Sequence, residues 1–402
     1  MRTLIIAAVL AAGPAYAETY RIAPGPEAAE ALQEALILAA PGDEIVLAAG
    51  RYPLADGLSL DVDGVAIRGA GAEATILDFT NQQGGGEGLL VTSSKVVLED
   101  FAVENAKGDA IKSKGSDEIT FRRLRIEWTG GPSEANGAYG LYPVESRNVL
   151  IEDSVVRGAS DAGIYVGQSD NIVVRRNRAE FNVAGIEIEN SFRADVYENV
   201  ATRNTGGVLV FDLPNLKQMG GHSVRVFRNE IFANDTDNFA PEGNIVGVVP
   251  RGTGVLVMAN RNVHVFENKF DDNAMVHIGI VSYFEDYEDD AYQPHPRGVV
   301  IRDNEFGRGG YDPNGEVGLF FAEAAEGDIP DVIWDGVTPL LEWVTWTAEE
   351  DAIHVDQPGA SFANLRMIAQ TIYPWGASVD RDIDDYAGSI AEPAPVALPQ
   401  DQ

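Results

Sequence analysis

Lysine, tyrosine and glutamate side chains recur at one position of successive sequence units. The units open with short alternating strands that begin at Ile111, Leu141, Ile164, Ile186, Val208 and Val255. If these residues point inward, the residues that follow them point outward, namely Lys112, Tyr142, Tyr165, Glu187, Leu209 and Leu256. Lysine and tyrosine can act as a general base or acid, and acidic neighbours can tune them or hold a cation. We predict a catalytic face formed by Lys112, Tyr142, Tyr165 and Glu187.

A second outward column, the bordering turns and two insertions supply candidate binding residues. The predicted substrate-binding residues are Lys114, Asp161, Glu189, Asp212, His222 and Arg251. His222 and Arg251 lie in insertions, and long loops on repeat proteins often build the wall of a binding site. The alternative is a solvated sheet face whose opposite charges pair between units, each pair contributing little stability. The sequence leaves both interpretations open.

The same outward columns end in an apolar strip formed by Leu209, Phe211, Leu256 and Met258. An exposed strip of this kind would favour docking of another protein. The alternative, which we favour, is that the insertions at 213–223 or 235–254 cover it.

Two charged segments suggest further ligands. The acidic run at 284–290 contains Glu285, Asp286, Glu288 and Asp289, and oxygen-rich loops suit calcium. These four residues are the predicted metal ligands, with a solvated charge run as the alternative. An anionic polymer, if one binds, would bind at six basic residues between positions 107 and 125; the alternative is that they only offset the surrounding acids. These residues are Lys107, Lys112, Lys114, Arg122, Arg123 and Arg125.

A repeat of about 22 residues must position these side chains. Residues 164–185 and 186–207 repeat without a gap, and each unit reads as three short strands separated by turns. Asparagine occupies the same place after the second strand at Asn177, Asn199, Asn229, Asn268 and Asn304. Stacked asparagines can form hydrogen-bonded ladders, and asparagine also tolerates the left-handed turn conformation. The pattern predicts an all-β solenoid in which each coil buries its apolar face against the next.

The ends of the repeat predict caps. Ala28, Leu32, Ala35 and Leu36 form a helical stripe ahead of a strand at residues 44–47, with a turn at residues 50–52. We predict a β-helix with this N-terminal cap over residues 18–320, and an irregular C-terminal capping segment with a loose Pro-rich tail over 321–402. Four tryptophans lie in the last segment, at Trp334, Trp343, Trp346 and Trp375.

Composition excludes several classes of function. The 402 residues carry a formal net charge of −34, which argues against nucleic acid or an anionic membrane as partner. The absence of cysteine excludes disulfides and thiol catalysis.

The N-terminus predicts a signal peptide over residues 1–17, with export to the periplasm or beyond. It contains Arg2, an apolar stretch at residues 4–12 and the cleavage-site pattern Ala15-Tyr16-Ala17. No later window predicts a membrane span.

The helix, the coils and phrases such as DAGIYVGQSDNIVVRRN and AGIEIENS resemble a family of exported bacterial right-handed parallel β-helix repeat proteins with the pectin-lyase-like fold. Broader relatives include NosD-like copper-site maturation proteins and polysaccharide lyases and epimerases. The resemblance spans residues 26–320 and implies the fold and export, without an established catalytic residue.

Two functions follow as hypotheses. The first is an exported β-helix that binds a carbohydrate polymer and acts on it as a lyase or epimerase, with calcium as the candidate cofactor. The second is a non-catalytic periplasmic scaffold for another exported protein, such as a redox or metal enzyme. Whether the chain is an enzyme stays open at this stage.

Overall fold

Three parallel β-sheets wind around one apolar core in the computed structural model, which describes residues 17–338, 349–367 and 378–401. Within these residues sheet A has twelve strands, sheet B ten and sheet C eleven, and every neighbouring pair is parallel. Between Leu58 and Phe306 each coil contributes one strand to each sheet, in the order C, A, B. The predicted fold class, a right-handed parallel β-helix, is confirmed.

The strands of the three sheets have the following bounds. Sheet A contains Thr19–Ile22, Glu44–Leu47, Ala66–Arg68, Val97–Glu99, Asp117–Arg122, Arg147–Glu152, Asp170–Arg175, Phe192–Tyr197, His222–Phe227, Arg261–Phe266, Arg297–Arg302 and Ile353–Asp356. Sheet B contains Gly50–Pro53, Thr75–Asp78, Ala102–Glu104, Arg125–Glu127, Val155–Arg157, Arg178–Glu180, Val200–Thr202, Glu230–Phe232, Lys269–Asp271 and Glu305–Phe306. Sheet C contains Leu58–Leu60, Leu89–Val91, Ile111–Lys114, Tyr139–Val144, Ala162–Gly167, Ala184–Glu189, Gly206–Phe211, Thr253–Met258, Val276–Val281, Val332–Trp334 and Phe362–Asn364.

Two α-helices accompany the sheets in the described ranges, α1 (Ala28–Leu38) and α2 (Gly315–Ala324). Short 3-10 turns lie at Ile245–Val248, Glu349–Asp351, Ile383–Tyr386 and Pro399–Asp401. No helix in the described part of the chain is long and apolar enough to cross a membrane.

The predicted register of sheet C is confirmed. Ile111 pairs with Leu141, which pairs with Ile164, and the row continues through Ile186, Val208, Val255 and Ile278. These side chains are fully buried in the core. Their inward direction fixes the outward direction of the residues that follow them.

Asparagine ladders run along the solenoid through the core. The side-chain amide of Asn199 donates to Asn229 Oδ1 at 3.0 Å, and that of Asn229 donates to Asn268 Oδ1 at 2.9 Å. None of the five predicted asparagines adopts the left-handed conformation; the residue before each one does, as at Glu198 and Arg228. Of the two roles predicted from the sequence, the ladder is therefore the correct one.

A second ladder was not predicted from the sequence. It stacks four buried asparagines that follow the strands of sheet B, with amide-to-oxygen distances of 3.0 to 3.1 Å: Asn182, Asn204, Asn234 and Asn273. Two ladders at two corners hold successive coils in register.

The N-terminal cap forms as predicted, with one correction. The helical stripe Ala28, Leu32, Ala35 and Leu36 is the buried face of α1, which packs on the first coil. Residues 50–52, predicted as a turn, belong to the strand Gly50–Pro53, because Tyr52 is buried and its hydroxyl donates to the carbonyls of Ile22 and Ala48. The predicted signal peptide at residues 1–17 lies, except for Ala17, outside the described residues, as do Trp343, Trp346 and Trp375.

The predicted end of the β-helix at residue 320 is wrong. Val332–Trp334, Ile353–Asp356 and Phe362–Asn364 continue sheets A and C. The insertion that contains α2 separates these strands from the regular repeat, so the spacing no longer revealed them.

The prediction of a loose C-terminal tail is also wrong. Glu392 binds Arg225 at 2.6 Å and Arg302 at 2.7 Å. Leu398 packs with Leu150 and Val173, and Gln400 donates to the carbonyl of Asn148 at 2.8 Å. The tail therefore runs back along the outer face of sheet A, because that face offers charges and apolar side chains that a proline-rich segment can contact.

We expect Asn229→Ala to lower the free energy of unfolding by about 3 kcal/mol. The substitution removes two bonds that the amide donates and leaves the buried backbone N–H of Asn199, which donates to Asn229 Oδ1 at 2.9 Å, without its acceptor. Urea unfolding measures the loss. The exposed Asn81→Ala is the control, with an expected change within about 0.5 kcal/mol. Equal losses in the two variants would contradict the ladder's role.

Candidate functional site

The predicted catalytic residues lie on adjacent strands of sheet C. Lys112 is the register partner of Tyr142, and Tyr165 is the partner of Glu187. Tyr142 and Tyr165 also meet, with ring centroids 4.9 Å apart. The column predicted from strand alternation therefore exists as a row of neighbouring side chains on the outer face of the sheet.

A third tyrosine joins this row. The ring of Tyr139 lies 4.4 Å from Tyr142 and 4.5 Å from Tyr165, centroid to centroid, and its hydroxyl donates to Asp161 Oδ2 at 3.4 Å. Strand alternation would have pointed it inward. Gly140 explains the difference: it belongs to a column of glycines at which an added Cβ would lie within 3.0 Å of neighbouring atoms. A glycine directly before the inward aliphatic residue is the sequence signal for this break in alternation.

Three buried carboxyl groups lie beside the tyrosines. Asp161, Glu187 and Glu189 are 5%, 1% and 6% exposed. Tyr165 donates to Glu189 Oε1 at 2.7 Å, and the amide of Asn244 donates to Asp161 Oδ2 at 2.9 Å. Neither carboxyl oxygen of Glu187 has a hydrogen-bond partner among the described residues. We call Tyr139, Tyr142, Tyr165, Asp161, Glu187 and Glu189 the acid–tyrosine cluster.

Burial shifts the acids of the cluster toward their protonated forms. It raises the pKa of Glu189 and of Asp161 to about 7, against the opposing hydrogen bonds from Tyr165 and from Tyr139 and Asn244. Burial raises the pKa of Glu187 further, and the neighbouring carboxyls add to the shift. The pKa values of the three tyrosines also rise, chiefly through burial and then through the acids nearby. The cluster therefore holds carboxyl groups that can carry and exchange protons near neutral pH, where ordinary carboxyl groups are ionised.

Two insertions close most of this face. Leu213 and Met219 come from residues 212–221, and Phe239, Ala240 and Ile245 come from residues 233–252; all five pack on the outer apolar cluster of sheet C. We call these two segments the cover. Beneath it lie Leu209, Phe211 and Met258, which are at most 7% exposed, as the favoured interpretation of the apolar strip predicted; Leu256, the fourth residue of the strip, stays partly exposed. In this arrangement Tyr165 and Glu187, predicted as catalytic, are almost completely buried, at 5% and 1% exposure.

The sheet stays open on the N-terminal side of the cover. Leu90, Lys112 and Tyr142 follow one another in the outward column there, and all three are partly exposed. We call these three residues the open strip. Lys112 Nζ lies 3.2 Å from Glu87, 3.3 Å from Asp109 and 4.6 Å from the centroid of the Tyr142 ring. Burial raises the pKa of Asp109, and the cation of Lys112 opposes that rise. Asp109 was not predicted; it precedes a strand of sheet C as Asp161 does.

The predicted binding residues divide between this site and other places. Asp161 and Glu189 belong to the acid–tyrosine cluster. Asp212 is fixed in the cover by the backbone N–H groups of Gly220 and Gly221, at 3.0 and 2.8 Å. Burial raises the pKa of Asp212 to about 6, although those two N–H donors oppose the rise.

The remaining three binding residues lie away from the cluster. Lys114 is exposed beside Glu145, with Nζ 3.8 Å from the carboxylate. His222 stacks on Phe192 in sheet A, centroids 4.6 Å apart, because it begins a strand of that sheet. Arg251 is paired with Asp237 and Asp312 at 3.0 and 2.6 Å. These pairings match the alternative interpretation of a solvated, charge-paired face.

The basic cluster predicted from residues 107–125 is not a single patch. Lys112 and Lys114 lie on sheet C, Arg122 on sheet A and Arg125 on sheet B. Arg122 binds Glu152 at 2.5 Å, and Arg125 binds Glu104 at 2.7 Å. One coil passes through all three sheets, so basic residues that are close in sequence lie on different faces of the solenoid.

The predicted calcium ligands are not gathered into a site. Glu285, Asp286 and Glu288 are exposed and Asp289 is partly exposed, on a segment without regular structure. Across residues 17–338, 349–367 and 378–401, no three acidic or histidine side chains are grouped as a metal ion requires. Calcium binding at this segment would need a rearrangement and stays a prediction.

We expect Glu189→Gln to stabilise the protein at pH 8 and to have little effect at pH 4. Folding raises the pKa of Glu189 from its ordinary 4.5 to about 7, so the folded state binds more protons than the unfolded chain between these values. The wild-type free energy of unfolding therefore falls as pH rises through this range, and the uncharged amide removes this fall. The expected gain at pH 8 is about 2–3 kcal/mol.

Urea unfolding at pH 4 and pH 8 measures the effect. Glu198→Gln is the matched control, since Glu198 is partly exposed in an ion pair with Arg228. A wild-type stability that does not fall between the two pH values, with Glu189→Gln following it in parallel, would show that the acids are ionised in the folded protein.

Comparison with known proteins places this geometry in a known architecture. A family model described as the right handed beta helix region matches residues 63–217. No curated protein matches the sequence. The mannuronan C-5 epimerase AlgE4 A-module of Azotobacter vinelandii has 18% identity and a TM-score of 0.52, over 77% of this chain and 87% of that one.

Two further solved structures are similar in fold. A mutant DFA-IIIase of Arthrobacter chlorophenolicus A6 has 13% identity and a TM-score of 0.51, over 79% of this chain and 92% of that one. The catalytic unit of an alpha-1,3-glucanase of Streptomyces thermodiastaticus has 15% identity and a TM-score of 0.50, over 86% of this chain and 53% of that one. At these identities the likeness concerns the fold alone. The matched region and the three-sheet solenoid together show that the chain is a right-handed parallel β-helix protein.

Proposed function

We propose that this protein binds a carbohydrate polymer on the open strip and transforms it by proton transfer where the strip meets the acid–tyrosine cluster. The observation that carries the proposal is the meeting of Lys112, Asp109 and Tyr142 at the edge of a buried, protonated set of acids. Titratable groups with shifted pKa values that converge beside an exposed sheet face favour a reactive site over a structural one. The similar solved structures, an epimerase, a DFA-IIIase and a glucanase, support a carbohydrate as the substrate class.

The residues at the edge suggest the division of roles. Lys112 supplies the positive charge that would bind an acidic or hydroxyl-rich sugar. Asp109, with its raised pKa and its contact with Lys112, can accept a proton near neutral pH. The Tyr142 hydroxyl, whose pKa burial raises, can donate one. The sequence had assigned the base to lysine or tyrosine; the pKa directions favour a carboxylate instead.

A lyase or epimerase reaction fits these roles. In elimination the base takes the proton next to the sugar carboxyl group, a carbon–carbon double bond forms, and the leaving glycosidic oxygen takes a proton from the acid. An epimerase uses the same proton abstraction and returns a proton to the opposite face of the same carbon. Because burial raises the pKa values of Asp161 and Glu189 to about 7 and raises that of Glu187 as well, the cluster carries less negative charge near neutral pH and would repel less strongly the uronate that such reactions require.

The alternative, a non-catalytic scaffold for another exported protein, has weaker support. It was predicted to use an apolar strip that includes Leu209, Phe211 and Met258, and the cover buries these side chains. We also propose that the protein is exported. The pattern at residues 1–17 predicts that it meets its substrate in the periplasm or outside the cell.

We expect the protein to act on at least one polymer of a panel of uronic and neutral polysaccharides. Absorbance of unsaturated ends detects a lyase, reducing ends detect a hydrolase, and proton exchange with deuterated solvent detects an epimerase. Asp109→Asn and Tyr142→Phe should each lower the rate about 10²–10⁴-fold, the usual share of general acid–base catalysis. Asp56→Asn, at an exposed position outside the site, is the control for loss of a carboxylate. Turnover that survives both substitutions would contradict this site.

The rate should also fall as pH rises above about 7. Loss of protons from Asp161 and Glu189, whose pKa values lie at about 7, charges the cluster beside Asp109 and Tyr142. The opposing charge of Lys112 remains in place. We expect the rate of Glu189→Gln to fall less than that of the wild type above pH 7. If the rate depends on pH identically in the two proteins, the acid–tyrosine cluster is not the cause of the fall.

A further inference from the structure

A second concave site lies further along the outer face of sheet C. A cavity of about 160 Å³ is enclosed by the sheet, the turn Ile245–Val248 and helix α2. Its walls are almost wholly apolar and include Phe211, Leu256, Met258, Met275, Val281 and Phe321. We call this cavity the apolar pocket.

One missing side chain makes room for the pocket. The outward column continues from Leu209 to Leu256 and then to Gly279, whose next partner is Ile333. A Cβ atom built on Gly279 would lie 2.8 Å from Leu256 Cδ1, so a larger residue could not stand there without displacing the leucine. Gly279 lies within the strand Val276–Val281, and its φ is outside the left-handed region. The backbone conformation therefore does not require glycine at this position. Because Gly279 has no side chain, the floor of the apolar pocket is lower between Leu256 and Ile333.

The mouth of the apolar pocket exposes further apolar surface. Val248 is 51% exposed and Phe284 is 58% exposed, and both line the pocket. Ser282 and Glu285 also line it, and Glu285 is exposed. Among the described residues the walls therefore hold no positive charge to bind an anion and no buried carboxylate to bind a cation. Glu285 and the net charge of −34 further disfavour anions.

We infer that the apolar pocket binds the uncharged apolar group of a small molecule, of about the size of a benzene ring. A dry apolar cavity of about 150 Å³ is known to take up benzene, because the ligand restores contacts that the lining atoms lack. A longer ligand would also cover Val248 and Phe284 at the mouth. The pocket adjoins the acid–tyrosine cluster, since Phe211 is the register partner of Glu189, but its binding chemistry is independent of the proposed reaction.

Fluorine NMR of fluorobenzene with the full chain tests this inference. We expect saturable binding at one site, and binding of the anionic analogue 4-fluorobenzoate at least about tenfold weaker, because its carboxylate would lose hydration beside Glu285. Hexan-1-ol should displace fluorobenzene, since a neutral alkyl group fits the same walls. Absence of saturation, or equal affinity for the anion, would overturn the inference.

Two matched substitutions locate the site. Leu256→Trp should fill the pocket and abolish fluorobenzene binding. Ile37→Trp places the same side chain at an exposed position of helix α1, outside the pocket and the open strip, and should leave binding unchanged. Thermal unfolding checks that both variants fold; Val281→Phe replaces Leu256→Trp if the latter does not.

Two outcomes would assign the surface differently. Unchanged binding in the folded pocket variant would place the probe elsewhere and overturn the assignment. Concentration-dependent self-association in sedimentation, without binding of fluorobenzene, would assign the exposed Val248 and Phe284 to contact with a second copy of the chain and would equally overturn it.

Discussion

In-register stacking of parallel coils is the constraint on which the rest of this structure depends. Each coil places its residues directly over the equivalent residues of the next, and the asparagine ladders fix that alignment by joining buried amides from coil to coil. A one-residue slip would turn inward aliphatic side chains outward and break both ladders. Because the register is fixed, residues that are distant in sequence become neighbours on the sheet. The site therefore consists of residues at equivalent positions of successive coils, as Lys112, Tyr142, Tyr165 and Glu187 are.

The same constraint explains what could be predicted from the sequence. Strand alternation and the repeat gave the fold, the core row from Ile111 to Ile278 and the column of the acid–tyrosine cluster. Tyr139 was missed because Gly140 breaks alternation, and Asp109 because it precedes the strand rather than lying in it. The strands after α2 and the docked tail were missed because insertions interrupt the period and because a tail's contacts depend on the finished surface of sheet A. Burial of the apolar strip was predicted, but burial of Tyr165 and Glu187 was not, because the sequence of a loop does not show how far over a sheet it packs.

Burial gives the site its chemical character. Lysine, tyrosine and glutamate on an open sheet face would be ordinary solvated groups whose charges pair across coils. The cover removes water from Glu187 and Glu189, and desolvation then raises their pKa values more than the hydrogen bond from Tyr165 lowers that of Glu189. Keeping an unpartnered carboxyl such as Glu187 in the interior costs stability. A purely structural role would not require this loss of stability. A reactive site at the edge of the cover would account for it.

The most direct test of this account is the protonation state of Glu187 itself. Infrared difference spectra of the wild-type protein and Glu187→Gln, recorded in deuterated buffer at neutral pH, would isolate its carboxyl stretch. The account predicts a protonated carboxylic acid band in the wild type that the variant lacks. A difference spectrum that shows only an ionised carboxylate would contradict it, because the cluster would then be a buried group of negative charges rather than a source of protons.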